Sequence, residues 1–124
     1  METNLSKYEP PPKSNDLPAV WELVQADIKA TLSEQQAASI LKDMKDRDES
    51  GRAKYGVPLQ PFNGRNQLID AYQELLDFVV YMRTAIYEAE TNKVGSNSRF
   101  VMSDVYTSAL LSVVKLRILI DGIQ

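Results

Sequence analysis

The chain has 124 residues, 44% of them hydrophobic, and its 14 basic and 17 acidic side chains leave a net charge of −3. This length suits one compact domain that gains stability by association. The absence of a Lys/Arg-rich stripe excludes an extended nucleic-acid surface that works by phosphate neutralisation, though not a local nucleotide pocket. With no cysteine and no histidine, disulfides, zinc–thiolate sites, a thiol nucleophile and the usual general base are all excluded. Catalysis would have to run on carboxylates, Lys, Tyr, Ser/Thr or a hard metal ion. The lack of cysteine suits a reducing compartment, so a cytoplasmic location is expected.

Residues 1–16 contain no apolar run of the kind a targeting segment needs. Pro10, Pro11 and Pro12 instead suit an extended, polyproline-like arm, expected to be mobile or to wrap a neighbour. A single all-α domain is expected over residues 17–124. Its first helix is placed from Leu17 to Ala30, with Asp16 as N-cap and Pro18 in the first turn. Val20, Trp21, Leu23, Val24 and Ile28 supply its apolar content, and Trp21 reads as a packing anchor more readily than as a ligand platform. The second helix opens at Ser33, where Ser33-Glu34-Gln35-Gln36 matches a capping box, and is expected to close before Gly51. Ala37, Ile40, Leu41 and Met44 form its core side.

Residues 51–66 then read as a long loop, punctuated by Gly51, Gly56, Gly64, Pro58 and Pro61. It holds Arg52, Lys54 and Arg65, the densest basic group in the chain, which is suited to holding an anion. The competing reading makes Asn63-Gly64 a turn and Phe62 a core plug.

The third helix is placed over residues 67–90. Its Leu68, Tyr72, Leu75, Val79, Met82 and Ile86 share one side, with further apolar residues on both shoulders, so it is expected to be largely buried. Opposite them Asp70, Glu74 and Asp77 stand at i, i+4 and i+7 with no Lys or Arg three or four residues beyond. Like charges at that spacing repel by about 0.2–0.5 kcal/mol per pair. A solvated polar face is the plain reading, but an unpaired oxygen-rich stripe also suits Mg²⁺, with Mn²⁺ as an alternative.

A polar linker is expected over residues 91–98 and a fourth helix from Ser103-Asp104 to Ile120. That helix is apolar nearly all round, more than one small domain can bury, which points to a subunit interface and a homo-oligomer, dimer or tetramer. It is shorter than the ~20 residues a membrane span needs and carries Lys115 and Arg117, so no membrane role is expected.

A second acidic helix would complete a metal site. Asp43 and Asp46 have the right spacing, but Lys42 and Arg47 could pair with them as ordinary surface ions. Asp48 continues the Leu41, Met44 line and should face inward, where a lone charge needs a partner.

The runs Asp43-Met-Lys-Asp46-x-Asp48, then Gly51-Arg-x-Lys54-Tyr55-Gly56-x-Pro58-Leu-Gln-x-x-Asn63-Gly64-Arg65, then Asp70-Ala-Tyr-Gln-Glu74-x-x-Asp77-x-x-x-Tyr81-x-Arg83, resemble small MazG-like proteins of phages and bacteria. The resemblance covers about residues 41–88. It implies a four-helix, MazG-like bundle completed by oligomerisation, in the all-α nucleoside triphosphate pyrophosphatase superfamily. The superfamily hallmark is Glu-x-x-Glu on one helix and Glu-x-x-Asp on the next, together binding Mg²⁺. Glu74-Leu-Leu-Asp77 matches the second half, while Asp43-Met-Lys-Asp46 matches the first with Asp in place of Glu.

The implied reaction is Mg²⁺-dependent hydrolysis of a nucleoside triphosphate to monophosphate and pyrophosphate. Glu74 and Asp77 are then the expected ligands, Asp48, Asp46 or Asp43 complete the shell, and Asp70 positions water or a further metal. Arg65, Lys54 and Arg52 would clamp phosphate, and Tyr55, Asn63 or Phe62 would meet base or sugar. Two alternatives stand beside this: a non-catalytic protein that sequesters a nucleotide signal, and a helical oligomer with a purely structural role.

Overall fold

The computed structural model describes Leu5 and residues 10–122. Among them are four α-helices and no strand: α1 Val20–Thr31, α2 Glu34–Tyr55, α3 Gln67–Thr91 and α4 Ser96–Gly122. The all-α class expected from the apolar periodicity is therefore what forms. The chain divides into two compact units, one of Pro10–Arg65 built on α1 and α2, the other built on α3 and α4. Most of the N-terminal arm, residues 1–4 and 6–9, lies outside the described residues, as do residues 123–124.

In the first unit, α1 begins at Val20 rather than at Leu17. A residue that precedes proline is pushed out of the α region by the proline ring, so Leu17 cannot enter the helix and Asp16 cannot cap it. Ala19 stands at the cap with extended backbone and no side-chain bond. The orphan amide of Val20 donates instead to the Leu59 carbonyl at 2.9 Å, a tertiary contact in place of a local cap. Val20, Trp21, Val24 and Ile28 are half-buried, as a packing anchor at Trp21 requires.

The capping box of α2 forms as the sequence indicates: the Gln36 amide donates to Ser33 Oγ at 3.2 Å and the Ser33 amide to Gln36 Oε1 at 3.2 Å. Its far end lies beyond the expected stop at Gly51. The helix runs through Gly51 to Tyr55 and stops at Gly56, whose φ of 76° is left-handed and whose amide bonds Arg52 O at 2.8 Å. One glycine inside a helix costs only about 1 kcal/mol, and Gly56 offers the left-handed stop that Gly51 does not. Arg52, Lys54 and Tyr55 are therefore helical residues, and the loop shrinks to residues 56–66.

In the second unit, Asn66 caps α3 by accepting from the Ile69 amide at 3.2 Å. At the other end the Val94 amide bonds Ala89 O at 2.9 Å and the Lys93 amide bonds Glu90 O at 3.3 Å, with Lys93 at φ 56°. This is a Schellman motif carried by lysine where glycine is usual. It turns the chain within a few residues, so α4 restarts at Ser96, well before the expected Ser103. The Arg99 amide donates to Gly95 O at 3.1 Å and its Nε to Val94 O at 2.8 Å, anchoring the new helix. Ser96, Asn97 and Ser98 resemble a linker by composition, yet such residues are favoured at helix starts.

α3 and α4 form a helical hairpin. The less exposed side of α3 presents Tyr72, Leu75, Val79, Met82, Ile86 and Ala89, and that of α4 presents Met102, Tyr106, Ala109, Val113, Leu116 and Ile120. Both sets alternate steps of three and four residues, the heptad spacing that packs two helices along one seam. Arg117 fastens the hairpin: its guanidinium lies 5.7 Å from the Tyr72 ring centroid, and its Nε donates to Asp121 Oδ2 at 3.2 Å.

α3 is less buried than its composition suggests. Only Ile69, Ile86 and Ala89 are buried on it, whereas Val80, Tyr81 and Tyr87 are each more than 60% exposed. An apolar arc this wide needs covering on two sides, and α4 covers one. Among the described residues no helix is long and apolar enough to cross a membrane.

Candidate functional site

The α3 acids do not form a uniform stripe. Asp70 lies in the first turn, half-buried, where the dipole of the helix start favours a negative charge by about 0.3–1 kcal/mol. Its presence thus has a sufficient local cause. Glu74 and Asp77 have no such explanation. They stand one turn apart and exposed, and among the described residues neither takes part in a hydrogen bond or ion pair. Together with Ala71, Leu75, Phe78 and Tyr81 they line an open depression along the helix, with two carboxylates and two aromatic rings on one surface.

The α2 acids sort differently. Asp48 continues the Ala37, Leu41, Met44 line, and its side chain is 15% exposed, so it faces inward as its register requires. Its partner is Arg52, whose Nε donates to Asp48 Oδ2 at 2.9 Å. Asp46 pairs with Lys42 at 3.4 Å and Glu49 with Lys45 at 4.0 Å, all highly exposed. Asp43 is exposed without a bond among the described residues. Asp43, Asp46 and Asp48 belong to one unit and Asp70, Glu74 and Asp77 to the other. Among the described residues no group of three or more acids is placed to hold a metal ion.

The basic residues are not gathered either. Arg52 is taken up by Asp48, and Lys54 Nζ sits 5.1 Å from the ring centroid of its neighbour Tyr55. Arg65 donates from a terminal guanidinium nitrogen to Pro10 O at 2.5 Å. Asn63 is 1% exposed; its Oδ1 accepts from the Arg65 amide at 3.1 Å, and its carbonyl accepts from the Lys13 amide at 2.8 Å. Asn63 and Arg65 therefore hold residues 10–13 against the loop.

Asn15 and Gln60, which sequence reasoning missed, complete this clasp. Gln60 Oε1 accepts from the Asn15 amide at 3.1 Å, while its Nε2 donates to Asn15 O at 2.7 Å and Leu17 O at 2.8 Å. Asn15 Nδ2 donates to Pro61 O at 2.7 Å, and Asn15 Oδ1 accepts from the Leu17 amide at 2.9 Å. The partners lie some 45 residues apart, and no local periodicity announces such a pair. The clasp leaves Phe62 at the tip, 90% exposed and at φ 54°. Phe62 is not a core plug.

Comparison with protein-family models, curated proteins and solved structures finds no match.

What this arrangement can do follows from the α3 depression. Mg²⁺ is usually held by one or two carboxylates together with water and substrate phosphates, not by an all-protein cage. The donor set of Glu74 and Asp77 fits that requirement, and the exposed faces of Phe78 and Tyr81 beside them can stack on a planar ring.

Proposed function

We propose that the chain is a Mg²⁺-dependent nucleoside triphosphate pyrophosphohydrolase of the MazG-like kind, acting in the cytoplasm as a homo-oligomer, dimer or tetramer. The observation that carries the reading is the pair Glu74 and Asp77, exposed and unpaired among the described residues beside Phe78 and Tyr81. Glu74 and Asp77 would hold the ion, and Mn²⁺ could replace it. When bound, the ion would supply positive charge against the phosphates. The chain's own carboxylates orient water at the phosphorus, as a general base must lie within hydrogen-bond reach of the proton it takes. Tyr81 and Phe78 offer faces for the base.

A second reading, nucleotide sequestration without turnover, is favoured by the pairing of Asp48 with Arg52 and Asp46 with Lys42, which commits α2 acids that a second metal-binding motif would need. Incubation with a panel of nucleoside triphosphates and Mg²⁺, scoring pyrophosphate, separates the two. Release that Glu74→Gln abolishes supports hydrolysis. Nucleotide binding without product supports sequestration, and neither binding nor release contradicts both.

A further inference from the structure

The side of α4 turned away from its α3 seam carries a second heptad line. Val101, Asp104, Ser108, Leu111, Lys115 and Ile118 follow one another at alternating steps of three and four residues, the same spacing as the packed seam. All six are exposed, with Val101 at 59%, Leu111 at 58% and Ile118 at 66%. Among the described residues neither Asp104 nor Lys115 has an ion pair or hydrogen bond.

We propose that this face is a two-fold antiparallel contact with a second copy of the chain, its axis passing between Ala109 and Leu110. The residues are self-complementary in that register. Asp104 meets the partner's Lys115 and Lys115 meets the partner's Asp104, giving two equivalent ion pairs. Val101 then lies opposite Ile118. Near the axis the small side chain of Ser108 faces Leu111, which lets the helices approach closely. No like charges meet. A parallel, in-register pairing would set Asp104 against Asp104 and Lys115 against Lys115, and polar or charged residues on a helical seam specify register in this way. The contact is isologous, as a two-fold dimer requires.

This inference rests on the homo-oligomeric part of the proposed function and is independent of its nucleotide chemistry. The test is the mass of the full chain in solution, by light scattering, for the wild type and charge reversals at these two exposed positions. The wild type should run at about twice the 14.0 kDa chain mass. Asp104→Lys or Lys115→Asp alone should weaken association by about tenfold or more, since each sets two like-charge pairs face to face. The double variant D104K/K115D should recover the dimer, and so should an equimolar mixture of the two single variants. Circular dichroism of each variant checks that the helices are intact.

A wild-type monomer overturns both the contact and the homo-oligomer. An oligomer indifferent to both reversals, or a helical double variant that stays dissociated, overturns the contact alone. Slow amide exchange over residues 100–118 in a monomer would put the chain's own first unit on this face and also overturns it.

Discussion

The Arg52 guanidinium closes on Asp48 at 2.9 Å across Gly51, and this bond reconciles two features that conflict in the sequence: an acid on the packed side of α2, and a glycine in mid-helix. Asp48 finds its cation one turn further along the same helix. Because Arg52 is 43% exposed, the pair is worth only about 0.5–1 kcal/mol. Arg52→Gln is expected to lower the unfolding free energy of the first unit by that amount or somewhat more, since it leaves a half-buried carboxylate without its cation. A double-mutant cycle with Asp48→Asn in urea measures the coupling, which should come to about 0.5–1 kcal/mol.

Gly51 itself is replaceable. A Cβ built there meets nothing within 4 Å, and its φ is not left-handed. Gly51→Ala should therefore raise stability by about 0.5–1 kcal/mol through helix propensity and a more restricted unfolded chain. The urea midpoint reads this directly, and a fall would mean that α2 ends where the glycine suggests.

Among the described residues Phe62 and Lys93 hold left-handed backbone without being glycine. Lys93→Gly should stabilise the α3–α4 turn by about 1 kcal/mol, because the Schellman position then carries no Cβ. Phe62→Gly should be neutral or stabilising, whereas truncating a packed phenylalanine costs about 3–5 kcal/mol. Thermal unfolding of both variants distinguishes these cases.

The clasp between the N-terminal segment and the loop depends on Gln60. Gln60→Ala removes three hydrogen bonds at a residue only 6% exposed and should cost about 2–3 kcal/mol, since buried partners are left unsatisfied. Gln60→Glu should be at least as damaging at neutral pH, because a carboxylate would face the Asn15 and Leu17 carbonyls in place of an amide donor. Amide exchange at Asn15 and Val20 reports the loosening residue by residue.

How far the fold could be read in advance differs by element. α3 is legible almost to the residue, because its apolar period is long. The α2 start was equally plain from Ser33 and Gln36, and the inward aspect of Asp48 followed from its spacing to Leu41 and Met44. The α2 end is hard to place because a lone glycine punctuates strongly in sequence yet costs little in a helix that ion pairs support. The α4 start was hidden by the polar Ser96-Asn97-Ser98, and the clasp by the distance between its partners. At the candidate site, the exposed Glu74 and Asp77 pair was legible as an uncompensated charge. The local cause of Asp70 is equally legible, since a helix start at residue 67 already puts it in the first turn.

The roles of Glu74 and Asp77 are tested by pyrophosphate release from nucleoside triphosphates with Mg²⁺, comparing wild type with Glu74→Gln and Asp77→Asn. Both changes fall on exposed side chains and should leave helicity and thermal stability unchanged. Release by the wild type should stop on chelation of the metal and fall by about 10²-fold or more in each variant, the scale typical of a lost acid–base or charge-stabilising group. Release that persists undiminished in both variants, or a wild type that releases none from any triphosphate, would contradict these roles.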